Sequence, residues 1–461
     1  MRKMCPMDLR PNSDEARDIA YHFHSYTNAR VHEQNGPLIM DRGEGVHVFD
    51  THGNKYIESM SGLWSVAVGF NEQRLIDAAT RQMSKLPYYH NFAHRSHGPA
   101  IDLAEKLVGM APVPMSKVFY TNSGSEANDT ILKMLWYRSN SLGKPEKKKV
   151  ISRIRGYHGV TIASASMTGL PYNHKSFDLP LDGILHTTCP HYWREGKEGE
   201  SEEQFATRCA EDLDAMIQAE GPDTIAAFIA EPVMGAGGVV VPPKTYWEKI
   251  QAVLAKYDIL LIADEVICGF GRTGKMFGCE TYNIKPDIMT LSKQITSSYF
   301  PFSAFMMTEE VYAPIADESG RIGVLGHGYT GGAHPVGAAV ALENLKIIEE
   351  RDLVANAAAR GAELQAGLRS FVDHPLVGEA RGVGLIAALE IVAPEGRAEE
   401  FAPGKMGAGL NAHFLKNGLI SRNMMDAMAF CPPMIIEAPQ IKQILSAVEK
   451  SLDGFAAELA G

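Results

Sequence analysis

Paired cysteines, long apolar runs and an excess of positive charge are all missing from this sequence, and each absence excludes a class of protein. Six cysteines in 461 residues, Cys5, Cys189, Cys209, Cys268, Cys279 and Cys431, are scattered without a CxxC pair. That spacing does not fit a disulfide-stapled secreted domain and does fit reduced thiols, so a cytoplasmic location is expected. No apolar run approaches the roughly 18 residues that a membrane-spanning helix needs. The opening Met1–Met7 is basic at its start but lacks the apolar core of a signal peptide. Lys and Arg number 44 against 55 Asp and Glu, a net charge of −11, which argues against nucleic acid or an anionic membrane as partner. A local pocket can still hold a small anion. No GxGxxG follows the first strand of the βα region, which weighs against a dinucleotide-binding oxidoreductase. Internal repeats and low-complexity tracts are absent, and no metal site is expected.

What is present is an ordinary globular composition, 45% hydrophobic and 21% charged, in a chain long enough for two domains. Alternation over Gly45–Asp50, turn residues at His52-Gly53-Asn54 and a second run Lys55–Glu58 predict a β-hairpin. A helical pattern follows from Leu75 to Leu86. From about Lys117 short β-type runs alternate with helical ones, as in βα units with a mostly parallel sheet. The candidate strands are Lys117–Tyr120, Lys149–Ile154, Ile225–Ala230, Ile259–Ala263 and Ile288–Leu291. Val336–Glu350 reads as a helix and Leu385–Glu390 as a strand. The expected fold is α/β: a large domain with a mostly parallel central sheet flanked by helices, plus a smaller α+β domain drawn from both termini. Residues 1–75 form the N-terminal segment and hairpin, 76–335 the large domain and 336–461 the C-terminal small domain.

The residues just past those strands carry chemistry: Ser123-Gly124-Ser125, Tyr157-His158, Glu231, Asp264 and Lys293. A parallel sheet gathers such positions along one edge. Small hydroxyl residues and a glycine at a helix start expose backbone N–H groups to an anion, so a phosphate suits Ser123, Gly124 and Ser125, although ordinary serine capping has the same appearance. Asp264 ends an apolar run and needs a cationic or hydrogen-bonding partner, for which a protonated ring nitrogen serves as well as a core ion pair. With Tyr157 as a flat surface for a ring and Lys293 as an amine able to form a Schiff base, the set matches the needs of pyridoxal 5'-phosphate.

These blocks resemble the class III, fold type I pyridoxal-phosphate-dependent aminotransferases, especially the ω-transaminases that use pyruvate. The resemblance runs from Tyr26–Arg30 through Gly43–Gly45, Gly62–Trp64 and Pro87–Tyr89 to Cys431–Met434. Its most specific parts are Ser123–Asn128, Tyr157–Gly159, Glu231–Gly238, Asp264–Val266 with Gly269–Gly274, Lys293 and His327–Thr330, and the 29 residues from Asp264 to Lys293 match the family's spacing. It implies a transferase of nitrogenous groups in which Lys293 holds the cofactor and carries the proton. Asp264 would pair with the pyridine nitrogen, Tyr157 and Val266 would flank the ring, and Glu231 would shape the ring's surroundings. Ser123, Gly124 and Ser125 would bind the phosphate. Thr330 would reach the phosphate of a neighbouring subunit, which implies a homodimer, or a tetramer of paired dimers, with active sites at the interface.

For substrates, the resemblance implies an amine, ω-amino acid or taurine-like donor and a keto acid acceptor, most directly pyruvate. Arg422 falls where ω-transaminases carry a carboxylate-binding arginine, though its type alone fits a surface ion pair. Trp64, Tyr89, Phe92 and Tyr157 are candidates to line the apolar part of the pocket, with core or interface packing as the alternative for the aromatics. The chain departs from the family at Gln294 and at Ser297–Ser303, where glycines are common, and at Gly331-Gly332-Ala333. Decarboxylation, racemisation, aminomutation or lyase chemistry would keep the same cofactor residues, and a non-enzymatic anion-binding protein would need only the Ser123 cradle.

Overall fold

The structure, a computed structural model, describes residues 10–460. Cys5 and the Met1–Met7 stretch that bears on a leader lie outside these residues. The N-terminal hairpin forms as its alternation predicts: β1 (Met40–Glu44) pairs antiparallel with β2 (His47–Asp50), and β2 with β3 (Lys55–Glu58). Asp50 closes the turn, its Oδ1 accepting the backbone N–H groups of His52 at 3.0 Å and Asn54 at 2.8 Å. Local side-chain bonding of this kind is what makes aspartate a turn residue.

Seven strands build the central sheet: β4 (Lys117–Thr121), β5 (Lys149–Arg153), β6 (Ile184–Thr187), β7 (Ile225–Ala230), β8 (Leu260–Asp264), β9 (Ile288–Leu291) and β10 (Ser303–Met307). Their order is β4-β10-β9-β8-β7-β5-β6, and every pairing is parallel except those of β10, which runs against both neighbours. Every residue of β7, β8, β9 and β10 is buried. That explains their unbroken apolar texture, since helices cover both faces of such a sheet. Side chains such as Phe228 and Ile229, fully buried here, stabilise the fold by roughly 1.5–3 kcal/mol each.

The remaining strands are β11 (Val377–Val383), β12 (Ile386–Ile391), β13 (Leu419–Ile420), β14 (Arg422–Met424) and β15 (Ala427–Phe430). β13 pairs in parallel with β3, tying the two ends of the chain together, while β11-β12-β15-β14 form a separate antiparallel sheet. Helices Gln73–Lys85 and Pro335–Glu350 stand where the periodicity places them and pack against each other. No helix among the described residues is long and apolar enough to cross a membrane.

Candidate active site

Five strand ends meet at a cavity of about 190 Å³ lined by Gly124 and Ser125 after β4, Tyr157 after β5, Glu231 after β7, Asp264 on β8 and Lys293 after β9. Parallel strands all point their carboxyl ends to one edge, so residues some 170 positions apart in sequence become neighbours there. Leu63, Val266, Ile267 and Ser292 complete the apolar and small-residue lining.

Asp264, 3% exposed, sits at the closed end of the cavity. Its Oδ2 is met by His158 Nδ1 at 2.8 Å and accepts Asn128 Nδ2 at 3.1 Å, while Oδ1 accepts the Val266 N–H at 3.1 Å. Asn128 is itself fixed, donating to the His158 carbonyl at 2.7 Å and accepting the Thr290 hydroxyl of β9 at 2.8 Å. A carboxylate surrounded in this way has one orientation. Glu231 is equally constrained, accepting the Tyr157 N–H at 3.0 Å and the Gly235 N–H at 2.8 Å. Burial raises its carboxyl above the ordinary glutamate range.

Lys293 stands in the left-handed region at φ +48°, unusual for a lysine, at the start of a short 3₁₀ turn. Backbone strain of that kind persists only where surrounding structure enforces it. Burial lowers the Lys293 amine below the usual lysine value, opposed by the nearby Asp264 and Glu231 carboxylates. The amine therefore reaches its neutral, nucleophilic form at lower pH than a surface lysine.

Ser123 caps the Gly124–Ser141 helix, its Oγ accepting the Glu126 N–H at 3.2 Å, and Ser125 Oγ accepts the Val160 N–H at 3.1 Å. Both hydroxyls act as acceptors in these bonds, so each keeps its O–H free to donate. The first-turn N–H groups of Gly124 and Ser125 have no intrahelical acceptor. A Cβ on Gly124 would stand 3.2 Å from Val266 Cγ2, so a side chain there would intrude on the cavity wall.

The other sequence candidates are not brought to this cavity within one chain. Trp64 is 1% exposed at φ +64° and packs with Met60, Val233 and Ile267, and its neighbour Leu63 faces the cavity instead. The Gly62-Leu63 backbone leaves helical geometry, and this turn sends Trp64 into the core of the single chain. Tyr89 and Phe92 are exposed, as is Thr330, whose carbonyl accepts the Tyr88 hydroxyl at 2.9 Å. Arg422 begins β14 and lies near enough to influence Tyr157, Tyr172 and Lys293 electrostatically. Gln294 faces away, fully buried, donating to the carbonyls of Ile267 at 2.8 Å and Gly269 at 3.0 Å. The sequence places His158 and Asn128 within its motifs but assigns neither a role. His158 directly follows Tyr157 in the same motif, the one available signal.

Comparison with known proteins decides what such a site belongs to. A model of the class-III aminotransferases matches residues 28–452. The chain is a member of that family. The aminotransferase is 58% identical to the ω-transaminase of Pseudomonas jessenii solved in complex with PMP, with a TM-score of 0.96 over 97% of this chain and 99% of that one. A transaminase solved with L-Ala is 66% identical, TM-score 0.90, over 92% of this chain and 100% of the other. The mitochondrial gamma aminobutyrate transaminase 1 of Solanum lycopersicum is 50% identical over 418 residues, 90% of this chain and 81% of the plant protein. Class III enzymes use pyridoxal phosphate and transfer amino groups between amines and keto acids. The residues present fit that group: an amine, an oriented carboxylate, free hydroxyl donors and a helix start share one small cavity.

Proposed function

We propose that this aminotransferase moves an amino group from an amine, an ω-amino acid or a taurine-like donor to pyruvate. Arg422 carries the reading. It lies close to Tyr157, Tyr172 and Lys293, and among the described residues no carboxylate forms an ion pair with it. An arginine without an internal partner beside a reactive lysine suits the carboxylate of a keto acid, which its planar fork grips through two parallel hydrogen bonds. The names of the relatives, γ-aminobutyrate transaminases and a transaminase solved with L-Ala, support an ω-amino acid donor and an alanine–pyruvate pair.

Pyridoxal phosphate, when bound, supplies the electron sink that lets a proton leave the carbon bearing the amino group. Lys293 would hold the cofactor covalently. The Lys293 amine, kept short of protons by burial, would take up that proton and hand it on to a different carbon rather than back. Asp264, locked by His158 and Asn128, would face the ring nitrogen, with Tyr157 and Val266 on either side of the ring. Ser123, Gly124 and Ser125 would take the phosphate, and Glu231 would shape the ring's surroundings. Leu63 and Ile267 add apolar surface to the cavity's lining.

The working enzyme is a homodimer in this reading. Tyr89, Phe92 and Thr330 are exposed, and a partner seated over them would bring Thr330 to its neighbour's phosphate. Parallel pairing of β13 with β3 supports a small domain built from residues 1–75 and 336–461 around a large domain of 76–335. The described cysteines are all free and buried, which supports a reducing, cytoplasmic setting. Replacing Arg422 by alanine tests the acceptor assignment. The expected result is a roughly 10–100-fold rise in KM for pyruvate, with the KM of a simple amine donor changed little; equal losses for both would overturn it.

A further inference from the structure

Outside the active site, one set of side chains converges on a single carboxylate. Asp18 lies on the Asp14–Tyr21 helix, His22 and His24 follow it, and His32 belongs to the next helix, Ala29–Asn35. His24 Nε2 lies 2.8 Å and His32 Nε2 2.9 Å from Asp18 Oδ1, and His22 Nδ1 lies 3.1 Å from Oδ2. The donor atoms of Asp18, His24 and His32 all fall within 4.8 Å of one another. The imidazoles crowd together, ring centroids 4.3 Å apart for His22 and His24 and 4.2 Å for His24 and His32. Beside them opens a cavity of about 200 Å³ bordered by all three histidines and by Glu33.

We propose that Asp18, His24 and His32, with a fourth position open to water, bind a divalent transition-metal ion of the zinc class. Two imidazoles and one carboxylate suit zinc and exclude the all-oxygen preference of calcium or magnesium. A tetrahedral ion with bonds of about 2.0–2.1 Å holds its ligand atoms roughly 3.3 Å apart, near the 2.8 and 2.9 Å from Asp18 Oδ1 to His24 and His32 Nε2. Charge supports the assignment, because no lysine or arginine neutralises Asp18 among the described residues. The other convergent group among the described residues, His191, Glu379 and Glu390, is different: Arg381 pairs with both carboxylates at 2.5 and 2.7 Å and Arg194 also pairs with Glu390, so a cation has no place there. This reverses the expectation of no metal site. Asp18, His22 and His24 are close in sequence, but only the turn between two short helices adds His32.

The site also has a reach. Tyr26 stands between His24 and His32, its hydroxyl accepts Asn173 Nδ2 at 2.7 Å, and its ring meets Tyr172 edge-on at 6.2 Å. Tyr157 lies against it, so an ion closing the His24–His32 loop would hold Tyr26 beside the ring platform of the active site.

The test uses the holoenzyme freed of any polyhistidine tag and of trace metal, titrated with zinc chloride against a chromogenic chelator. One tight equivalent per chain is expected, with a rise in melting temperature on zinc addition. His32→Gln is the decisive variant, since glutamine keeps an N–H donor for Asp18 but is a poor metal ligand. It should keep the parent's fold and cofactor absorbance while binding zinc roughly 100-fold more weakly or worse. A parent that takes up no zinc, or a His32→Gln protein that binds it as tightly as the parent, would overturn the site.

Discussion

In the proposed mechanism Lys293 and Asp264 divide the work of the site, and each assignment predicts its own failure. Lys293→Ala should lower transamination by about three orders of magnitude or more, and borohydride should then fix no cofactor to the chain. Substantial residual turnover would remove Lys293 from the chemistry. Burial lowers the Lys293 amine, and below its folded value it is protonated and cannot accept the substrate's proton. Activity controlled by this group must therefore fall as pH falls, on a limb lying below the ordinary lysine value of 10.5. A pH profile of kcat limited only near or above that value would contradict the assignment. His158 acts through Asp264, since its Nδ1 reaches Oδ2 at 2.8 Å while its buried Nε2 has no partner. His158→Ala should cost roughly 10–100-fold in kcat, with the fold intact and the cofactor's absorbance shifted; unchanged kcat and spectrum would make the histidine mere packing.

At the level of elements, the turn from Lys293 to β10 is where the structure adds most to the sequence. Ser297 and Ser298 both adopt positive φ, +49° and +59°, conformations that glycine takes without penalty. Ser297 compensates by donating to Asn344 Oδ1 at 2.7 Å and accepting the Val68 N–H at 3.3 Å. Ser298 is exposed and has no such role among the described residues. Ser298→Gly should accordingly raise stability by up to about 1 kcal/mol, and Ser297→Gly should lower it, both readable by denaturant unfolding. The opposite order would mean that backbone strain does not decide this turn.

The same segment marks how far the sequence is legible. Runs such as Ile225–Ala230 and Ile288–Leu291 carry their own strand signal, and the residues after them reach the cavity because a parallel sheet has one carboxyl edge. β10 is missed because antiparallel insertion between β4 and β9 depends on long-range pairing, which the local run Ser303–Met307 does not encode. Trp64 is hard to place from sequence for a related reason: aromatic type suggests a pocket, but the non-helical Gly62-Leu63 turn decides which way the ring points. The roles of His158 and Asn128 escape notice because their purpose is to hold another residue, a relation visible only as distance.

For the whole molecule, the proposed homodimer rests on the exposed aromatic stretch Tyr88–Phe92 next to Thr330. Sedimentation should give a dimer or a multiple of it, and mixing Lys293→Ala chains with Thr330→Ala chains should restore more activity than independent sites would allow, because one site of the mixed dimer keeps both residues. A fully active monomer would contradict an interface site. The claim that joins every scale is amino transfer to pyruvate through Lys293. Its most direct measurement follows alanine during turnover of the purified enzyme with pyridoxal phosphate, pyruvate and an ω-amino acid donor. Alanine should accumulate mole for mole with the donor's carbonyl product and vanish in Lys293→Ala. No alanine from any donor across a panel of amines, ω-amino acids and taurine, or undiminished alanine from the Lys293→Ala protein, would contradict the account.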